Sequence, residues 1–513
     1  MNAISRIKST RRSLDPTARR GLIVTIGLTF VATLVSLWYG FSLTNNIVSP
    51  LILLAVPLGL VFTWLAYINA GYAAVVLLML RWGFITDAIE VVHGINSPVP
   101  ALVGLLLLSF VVRLLQDKSA RIVSDPTLWW VGAYFLFAYL GLWYAEYPER
   151  VEAYVIDIAR EFAICFALIN LITSKQLLYH AIWLLLLTGA ALGLLTVFQE
   201  VTQTPDQNYL GFARVKIAHI AEGLVDRPRA GGPTGEPLAL GQQLMVLVPL
   251  GLWAMTQARS WLGRFGGAFA TVACMAGVAL SFSRSIYIAL AVVLVLFTLH
   301  VRLNPRFLLF LPLLLVLLQV APPEFQARIG TFDALVQNEE NGQDIERDSS
   351  FEGRAVEMLM AVYVFLDHPA VGVGGGNFVE HYPTYIREYG GSLKDEKRNP
   401  HNYYLEVAAE HGVVGLVLFC GIMFMTLARL QFARGLLRGA GDHQLAELAI
   451  ALQIGFIGYM VSALFYHGSY PRYLWLQVAL AIIIASIAKL SLAGQQAMPV
   501  PTGGAPALNG ATV

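Results

Sequence analysis

Long apolar runs alternate with short polar segments along most of the chain, and this pattern predicts transmembrane helices. A helix needs about 20 mainly apolar residues to cross the hydrocarbon of a bilayer. About fourteen runs qualify, so we predict an all-α polytopic membrane protein with about 12–14 transmembrane helices and one large outer loop. The candidates are 21–40, 50–67, 70–88, 97–115, 127–145, 151–172, 176–199, 236–257, 264–282, 285–302, 306–321, 412–430, 446–466 and 471–490.

Residues 322–411 form the one polar segment that is far longer than the other connections. Within this loop Ser349 and Glu352 fit a capping box, and the segment Asp367-His368-Pro369 stops the helical pattern that follows. We therefore expect an amphipathic helix that lies on the outer surface of the membrane. Its apolar residues at helical spacing are Ala355, Met358, Leu359, Val362 and Phe365.

Basic residues mark the cytoplasmic side, because loops on that side carry an excess of lysine and arginine. With a cytoplasmic N-terminus the alternation holds over fourteen spans. The run 21–40 is longer than the apolar part of a signal peptide and is interpreted as a retained span. The chain then divides into a basic cytoplasmic N-terminus (1–20), eleven spans (21–321), the outer loop (322–411), three last spans (412–490) and a cytoplasmic tail (491–513) that we predict to be disordered.

Composition supports a membrane protein and excludes several classes of site. Hydrophobic residues make up 57% of the chain and charged residues 13%, against about 25% charged in soluble domains. The net charge of +1 offers no basic stripe for nucleic acid. Cys165, Cys274 and Cys420 all fall inside apolar runs, so disulfides and cysteine-type zinc sites are not expected.

Two arginine segments are predicted on the outer face. Arg284 lies between two apolar runs, where an arginine must face water, protein or an anion. Arg227 and Arg229 precede the eighth span. A snorkelling hairpin tip and a solvated loop would explain these residues equally well. The alternative is a pair of guanidinium groups that bind phosphate oxygens through their planar forks.

His401 is the candidate general base at the end of the long loop. Asn402 is a good N-cap for a helix that runs into the span after Gly412. A histidine at a helix N-terminus is disfavoured in its charged form, and a general base must be neutral. The alternative is a polar interfacial residue that merely ends the loop.

Three other polar groups have structural interpretations beside the functional ones. The run Gly372–Asn377 lacks the spacing of a nucleotide loop and predicts a flexible or tightly turned backbone. Asp157, Arg160 and Glu161 share a helix face in the sixth span, where they would pair with one another or bind substrate. His467 and Arg472 fit a wet interface.

Taken in order, the motifs of the region 220–420 resemble the bacterial O-antigen ligase and polymerase superfamily. They are Arg229-x-x-Gly232, Ser283-Arg284, His368-Pro369-Ala370-Val371-Gly372-Val373-Gly374, Asn377-Phe378, His401-Asn402-Tyr403-Tyr404-Leu405 and Glu410-His411-Gly412. The chain departs from the pattern at Gly235-Glu236, where relatives often carry asparagine.

The resemblance implies a metal-independent, cofactor-free inverting glycosyltransferase in the bacterial inner membrane. It would move a glycan from an undecaprenyl-pyrophosphate carrier to an acceptor hydroxyl at the periplasmic face. By motif position His401 corresponds to the base, and Arg284 and Arg229 to arginines that bind pyrophosphate. The further candidates for substrate binding are Arg227, Arg354, Asn377, Asn402, Tyr403 and Arg160.

The acceptor and the class of function stay open at this point. The expected partners are the lipid-linked glycan, membrane lipids, and an acceptor that is another glycan, the lipid A core or a protein. A transporter or flippase without catalysis would predict inverted repeats and a charged cavity at the midplane, and the sequence shows no such symmetry. A scaffold would leave the arginines and His401 unexplained.

Overall fold

The computed structural model describes residues 50–94, 96–117, 121–219, 226–300, 349–389, 397–468 and 471–496. Its helices are α1 Pro50–Trp82, α2 Ile85–His93, α3 Val99–Gln116, α4 Pro126–Leu140, α5 Pro148–Leu171, α6 Lys175–Val201, α7 Pro237–Gln257, α8 Trp261–Leu280, α9 Arg284–His300, α10 Ser349–Asp367, α11 Phe378–Tyr389, α12 Tyr403–Gly439, α13 His443–Ser462 and α14 Arg472–Gln496. Two short 3₁₀ turns, Gly141–Trp143 and Tyr209–Gly211, and the strands β1 Arg214–His219 and β2 Asp226–Gly232 complete the described part.

Eight of these helices are long and apolar enough to cross a membrane, which confirms the predicted all-α polytopic architecture. They are residues Gly59–Trp82 of α1 together with α3, α6, α7, α8, α12, α13 and α14. The shorter apolar helix α9 matches the predicted span 285–302. The predicted spans 21–40 and 306–321, the N-terminal segment 1–20 and residues 497–513 of the tail lie outside the described residues, so the total count stays a prediction.

Helix α1 covers two predicted spans, 50–67 and most of 70–88, and is interrupted where they meet. Asn69 has a non-helical backbone (φ −156°, ψ 90°). Its Oδ1 accepts hydrogen bonds from the backbone nitrogens of Gly71 and Tyr72, which caps the segment that follows. That segment ends at Trp82, earlier than predicted, because Phe84 takes a left-handed conformation (φ 56°) before α2.

Close packing around α7 forms the centre of the bundle, where the side chains of α7 are almost all buried. Small residues let the neighbouring backbones approach, as is usual between membrane helices. A Cβ on Gly193 of α6 would lie 2.1 Å from the carbonyl oxygen of Ala273 in α8. A Cβ on Gly251 of α7 would lie 2.3 Å from Oγ1 of Thr271. These glycines allow the contact among α6, α7 and α8.

A two-stranded antiparallel hairpin, β1 and β2, occupies the predicted outer loop 200–235, and the apolar pattern gave no sign of it. Lys216 of β1 lies opposite Arg229 of β2 in the register. Gly232 and Gly235 have positive φ angles of 57° and 74°, which turn the chain from β2 into α7. The hairpin therefore places Lys216 and Arg229 next to the N-terminal end of α7, the central helix.

The predicted helix of the long loop is confirmed, since α10 spans Ser349–Asp367. The apolar stripe predicted for it is not the face that packs inside the protein. Met360, Ala361 and Val364 are the fully buried residues of α10. They form a small core with Val373 of the loop before α11 and with residues of α11 and α12, namely Phe378, Tyr382, Tyr385, Ile386 and Ala409.

Helix α12 begins at Tyr403 and is broken at Gly412, where the last predicted outer loop ends. Gly412 has φ 61° and ψ −163°, and its backbone touches the preceding loop so closely that a Cβ would lie 2.4 Å from the carbonyl carbon of Ala370. The nitrogen of Val413 donates to the carbonyl oxygen of Pro369 over 2.8 Å. The break thus joins the loop to the membrane-spanning part of α12.

Candidate active site

His401 lies in the turn that leads into α12 and has a strained backbone. Its φ angle is 26°, a conformation that costs about 1–3 kcal/mol for a residue other than glycine. The side chain of Asn402 accepts hydrogen bonds from the nitrogens of Tyr404 and Leu405, which confirms the predicted N-cap. Nδ1 of His401 is buried and has no hydrogen-bond partner among the described residues. The cap fixes the turn and therefore the direction of the imidazole.

A buried carboxylate, Glu357 of α10, lies beside this imidazole. Its Oε2 is 3.5 Å from Nε2 of His401, and its Oε1 accepts a hydrogen bond from Nη1 of Arg398 over 3.0 Å. Burial raises the pKa of Glu357 above its ordinary value, and Arg398 and Arg354 oppose this shift. Because Arg398 and His401 are three residues apart in the same loop, one carboxylate holds both ends of the turn.

The ring of His401 is held neutral by its surroundings. Burial, as the largest cause, and the nearby His467, Arg354, Lys216 and Arg398 together lower the pKa of His401 to about 3. The predicted direction is confirmed, although burial and cations replace the expected effect of the helix terminus. The ring of His467 lies 5.5 Å from that of His401, and burial with Lys216 lowers the pKa of His467 to about 4.

The two predicted phosphate-binding arginines meet at one turn between α8 and α9. Arg229 donates from Nε to the carbonyl oxygen of Ser281 over 3.2 Å and from Nη2 to Oγ of Ser283 over 2.9 Å. Arg284 follows directly as the first residue of α9. Phe282 takes φ 48° in this turn, a rare conformation for an aromatic residue. The sequence placed Arg229 and Arg284 on one face, and the structure brings the guanidinium of Arg229 to the turn from which Arg284 begins α9.

Lys216 is close to Arg229 and also affects the charge state of His401. It lies opposite Arg229 in the hairpin, and its charge acts on both His401 and His467. Lys216 also pairs with Glu236, whose carboxylate oxygens are 2.9 and 3.0 Å from Nζ. Glu236, where the chain departs from the family pattern, therefore forms an ion pair with Lys216 at the edge of the site.

Three predicted binding residues have structural contacts that account for them. Asn377 is fully buried; its Oδ1 accepts from the nitrogen of Tyr147 and its Nδ2 donates to the carbonyl oxygen of Tyr147. The side chain of Asn402 forms the cap described above. The ring of Tyr403 packs on Phe419 at 4.8 Å, and its backbone nitrogen donates to Ala463. A role of these residues in substrate binding stays a prediction.

The remaining predicted residues lie elsewhere or are described only in part. Arg354 is on α10 and acts electrostatically on His401. Arg160 pairs with Asp157 over 3.2 Å on the exposed side of α5, as predicted, whereas Glu161 pairs with Arg81 instead. A role of Arg160 in substrate binding stays a prediction. The backbone of Arg227 lies in β2 opposite Ala218, and its side chain lies outside the described residues.

The glycine run Gly372–Asn377 is a tightly turned backbone, as predicted. Gly372, Gly374 and Gly376 have positive φ angles of 69°, 96° and 75°. The nitrogen of Val373 donates to the carbonyl oxygen of Ala409, and that of Gly374 to Glu410. The run therefore braces the start of α12, the helix that Asn402 caps.

A buried charge network lies among the outer parts of the membrane helices, and sequence reasoning missed most of it. Arg81 pairs with Glu161 and with Asp87, whose Oδ2 lies 3.2 Å away. Asp87 also binds Arg472 over 2.6 and 2.9 Å, and the Arg472 guanidinium lies 4.2 Å from the ring of Phe84. The network ties α1, α2, α5 and α14 together, so we interpret it as support for the site.

Glu357, Arg398 and Lys216 are the site residues that the sequence did not single out. The one available signal for Glu357 was its place three residues after Arg354, which puts both on neighbouring turns of a helix. Its contact with His401 joins residues far apart in the chain. Within the described ranges, no group of three or more histidine, cysteine, aspartate or glutamate residues is placed to hold a metal ion.

Comparison with known proteins identifies one family. Residues 269–420 match the family described as O-antigen ligase, which confirms the resemblance found in the motifs. The match includes Arg284, Glu357 and His401 but begins after Arg229. It supports glycan transfer of the ligase or polymerase type in general. No curated protein sequence matches the chain.

Proposed function

We propose, from this family match and the geometry around His401, that the protein is a periplasm-facing inverting glycosyltransferase. It would move a glycan from undecaprenyl-pyrophosphate to an acceptor hydroxyl in the bacterial inner membrane. The single observation that carries the proposal is a neutral imidazole surrounded by cations, at the junction of the long loop and the membrane helices. An anionic donor and a base for a hydroxyl proton both fit this arrangement.

Arg229 and Arg284 are proposed to bind the pyrophosphate of the donor. Guanidinium groups pair with phosphate oxygens in a forked geometry. Arg229 donates to the Ser281–Ser283 turn, and Arg284 begins α9 directly after that turn. We therefore propose that the two guanidinium groups bind the same anion. Charge that develops on the departing pyrophosphate would be stabilised there.

His401 is proposed to take the proton of the acceptor hydroxyl. The acceptor oxygen forms a bond to the anomeric carbon as the bond from that carbon to the pyrophosphate oxygen breaks, and the configuration inverts. The proton moves to the imidazole, a step that general bases accelerate by about 10²–10⁴-fold. The carboxylate of Glu357, 3.5 Å away, stabilises the imidazolium that forms.

Donor binding is expected to activate this base. With its pKa lowered to about 3, His401 is a weak base in the free protein. Lys216 and Arg354 are among the cations that disfavour its charged form. A pyrophosphate bound among them would offset their charges, so the pKa of His401 would rise when the donor is in place. Proton removal would then follow donor binding rather than precede it.

The acceptor can be the lipid A core, a further glycan repeat or a protein, and the chemistry at His401 is the same for all three. Ligase and polymerase differ in their products in a strain that lacks the protein. Unligated long chains would indicate a ligase, and single repeats would indicate a polymerase. Mass analysis of the surface glycans separates these outcomes.

The test is glycan transfer by the purified protein in proteoliposomes that contain the lipid-linked donor. His401→Ala should lose activity by about 10²-fold or more, while His443→Ala, an exposed histidine at the start of α13, should retain it. A wild-type rate in His401→Ala would overturn the assignment of the base. Movement of the donor across the bilayer without a new glycosidic bond would support a flippase instead.

A further inference from the structure

Helix α10 is apolar on two opposite sides, which is unusual for a helix in a water-facing loop. Residues Met358–Leu366 form nine consecutive apolar positions. One side is used inside the protein, where Met360, Ala361 and Val364 are fully buried. A helix that is apolar all round is normally covered on every side. Something must therefore cover the other side of α10.

The uncovered side carries two leucines in line. Leu359 is 45% exposed and Leu366 is 61% exposed. They are seven residues apart and so lie on one stripe, with Val362 between them. Residues two apart on a helix point about 200° away from each other, so Leu359 faces away from Ala361 and from Glu357. The stripe is thus opposite the face that meets His401.

The end of this stripe is fixed to the lipid-facing surface of α12. Three residues after Leu366, the carbonyl oxygen of Pro369 accepts from the nitrogen of Val413. The carbonyl oxygen of Val371 accepts from the hydroxyl of Tyr144 over 2.8 Å. Val371 is 39% exposed, and Val413, Val414 and Val417 are exposed on the outer side of α12.

Aromatic residues place this junction at the level of the membrane boundary. Trp143 is 74% exposed, and Tyr139 and Tyr144 are exposed beside it at the end of α4. Tryptophan and tyrosine are enriched where membrane helices meet water. The apolar stripe of α10 therefore continues a surface that already faces lipid, at the depth where an interfacial helix would lie.

We propose that the outer face of α10, formed by Leu359, Val362 and Leu366, rests in the outer leaflet of the bilayer. Membrane lipid is the partner, because the stripe is continuous with the lipid-facing side of α12 and carries no charge from Met358 to Leu366. Contact with lipid holds the opposite face, with Glu357 and Arg354, at a fixed height beside His401. The proposal does not depend on the glycosyltransferase assignment.

Site-directed fluorescence of the full-length protein in nanodiscs tests the contact. A single cysteine replaces Leu366 in a Cys420→Ser background and is labelled with an environment-sensitive dye. Cys165 and Cys274 are buried and should not react. The nanodiscs contain phosphatidylcholine with a nitroxide either near the headgroup or deep in the acyl chain. We expect blue-shifted emission that the shallow nitroxide quenches more strongly than the deep one.

Two labelled positions serve as controls, and a second position on the stripe shows whether the result depends on the Leu366 substitution itself. Val417→Cys on the lipid-facing side of α12 should be quenched, and Arg387→Cys on the exposed side of α11 should not be. Leu359→Cys should repeat the result of Leu366→Cys. Emission that is blue-shifted but not quenched would show that protein covers the stripe. Emission that depends on the number of protein copies per disc would show that a second copy covers the stripe. Emission like that at Arg387→Cys would show that the stripe faces water. Each of these three results would overturn the proposal.

Discussion

Oε2 of Glu357 lies 3.5 Å from Nε2 of His401, and Oε1 of the same carboxylate accepts a hydrogen bond from Arg398. The carboxylate comes from the helix of the long loop, and the imidazole from the turn that re-enters the membrane. Because Glu357 is almost fully buried, its charge is poorly screened by water. It can therefore stabilise a positive charge on His401 during proton transfer.

Glu357→Gln should slow glycan transfer by about 10–100-fold. Charges 4 Å apart interact by about 4 kcal/mol at an effective dielectric constant of about 20, and loss of part of this gives the expected change, since about 1.4 kcal/mol is tenfold in rate. The measurement is kcat in proteoliposomes. Glu388→Gln, the same substitution at an exposed position of α11, should leave kcat unchanged. Equal rates in both variants would exclude a role for the carboxylate.

Arg284→Lys should reduce kcat/KM by about 10²-fold, although the charge is kept. Lysine cannot bind two phosphate oxygens in the planar geometry of a guanidinium, and loss of one well-placed donor to a developing anion costs about 10²–10³-fold. Arg264→Lys, at an exposed position of α8 on the predicted cytoplasmic side, is the matched control. If Arg284→Lys retained full activity, the arginine would act only as a point charge or not at all.

Lys216→Gln should move the acidic limb of the pH–activity profile to higher pH. The positive charge of Lys216 is one of the causes that lower the pKa of His401, so its removal makes the imidazolium easier to form. The profile of kcat/KM reports the free protein. Lys175→Gln, which breaks the pair with Asp442 elsewhere in the bundle, should not move the limb. A shift of the limb to lower pH in Lys216→Gln would contradict the electrostatic account.

The lowered pKa of His401 also makes the free energy of unfolding depend on pH. The pKa of His401 falls on folding from 6.5 to about 3, so the unfolded chain binds the proton more tightly. The stability that the folded protein gains while the ring is neutral is fully present above pH 6.5 and is lost as the pH falls towards 3. Thermal unfolding between these values should therefore show a smaller loss in Lys216→Gln, where the folded pKa is higher.

Asn377→Ala should destabilise the protein by about 1–3 kcal/mol, because it removes a fully buried amide and leaves the part-buried backbone groups of Tyr147 without these partners. The KM of the folded fraction should not change if the amide serves only the glycine turn. Thermal unfolding and KM are measured on the same preparation. Gln431→Ala, at an exposed amide on α12, should change neither. An increased KM at unchanged stability would restore the predicted role of Asn377 in substrate binding.

The sequence predicted the helices of this protein well where one physical pattern dominates. Apolar runs of about 20 residues are required by the thickness of the bilayer, so α6, α7 and α8 appear within a few residues of their predicted bounds. The stop at Asp367-His368-Pro369 matches the end of α10 at Asp367, because this signal acts within a few residues of the chain. The break at Asn69 lies between two predicted spans, whereas the break at Gly412 was not predicted, because the helix capped by Asn402 was expected to run on into the span after it.

Contacts between distant segments could not be predicted in this way. The inward face of α10, formed by Met360, Ala361 and Val364, was not predicted, since both sides of the helix are apolar and the spacing identified only the stripe expected to face the membrane surface. The hairpin that sets Lys216 opposite Arg229 joins strands of mixed polarity, which have no strong period. Glu357 was missed because its partner, His401, lies in another element.

By itself the sequence determined that this chain crosses the membrane many times and that α10 forms in the long polar loop, and it singled out His401, Arg229 and Arg284 as candidates for the polar chemistry. Those conclusions rest on local patterns, namely runs, caps and motifs. The tertiary structure alone decided that Glu357, Lys216 and Arg398 surround His401, and that Arg229 binds the turn before Arg284. The charge state of an imidazole depends on burial and on nearby charges, and both are set by packing between segments that the chain order keeps apart.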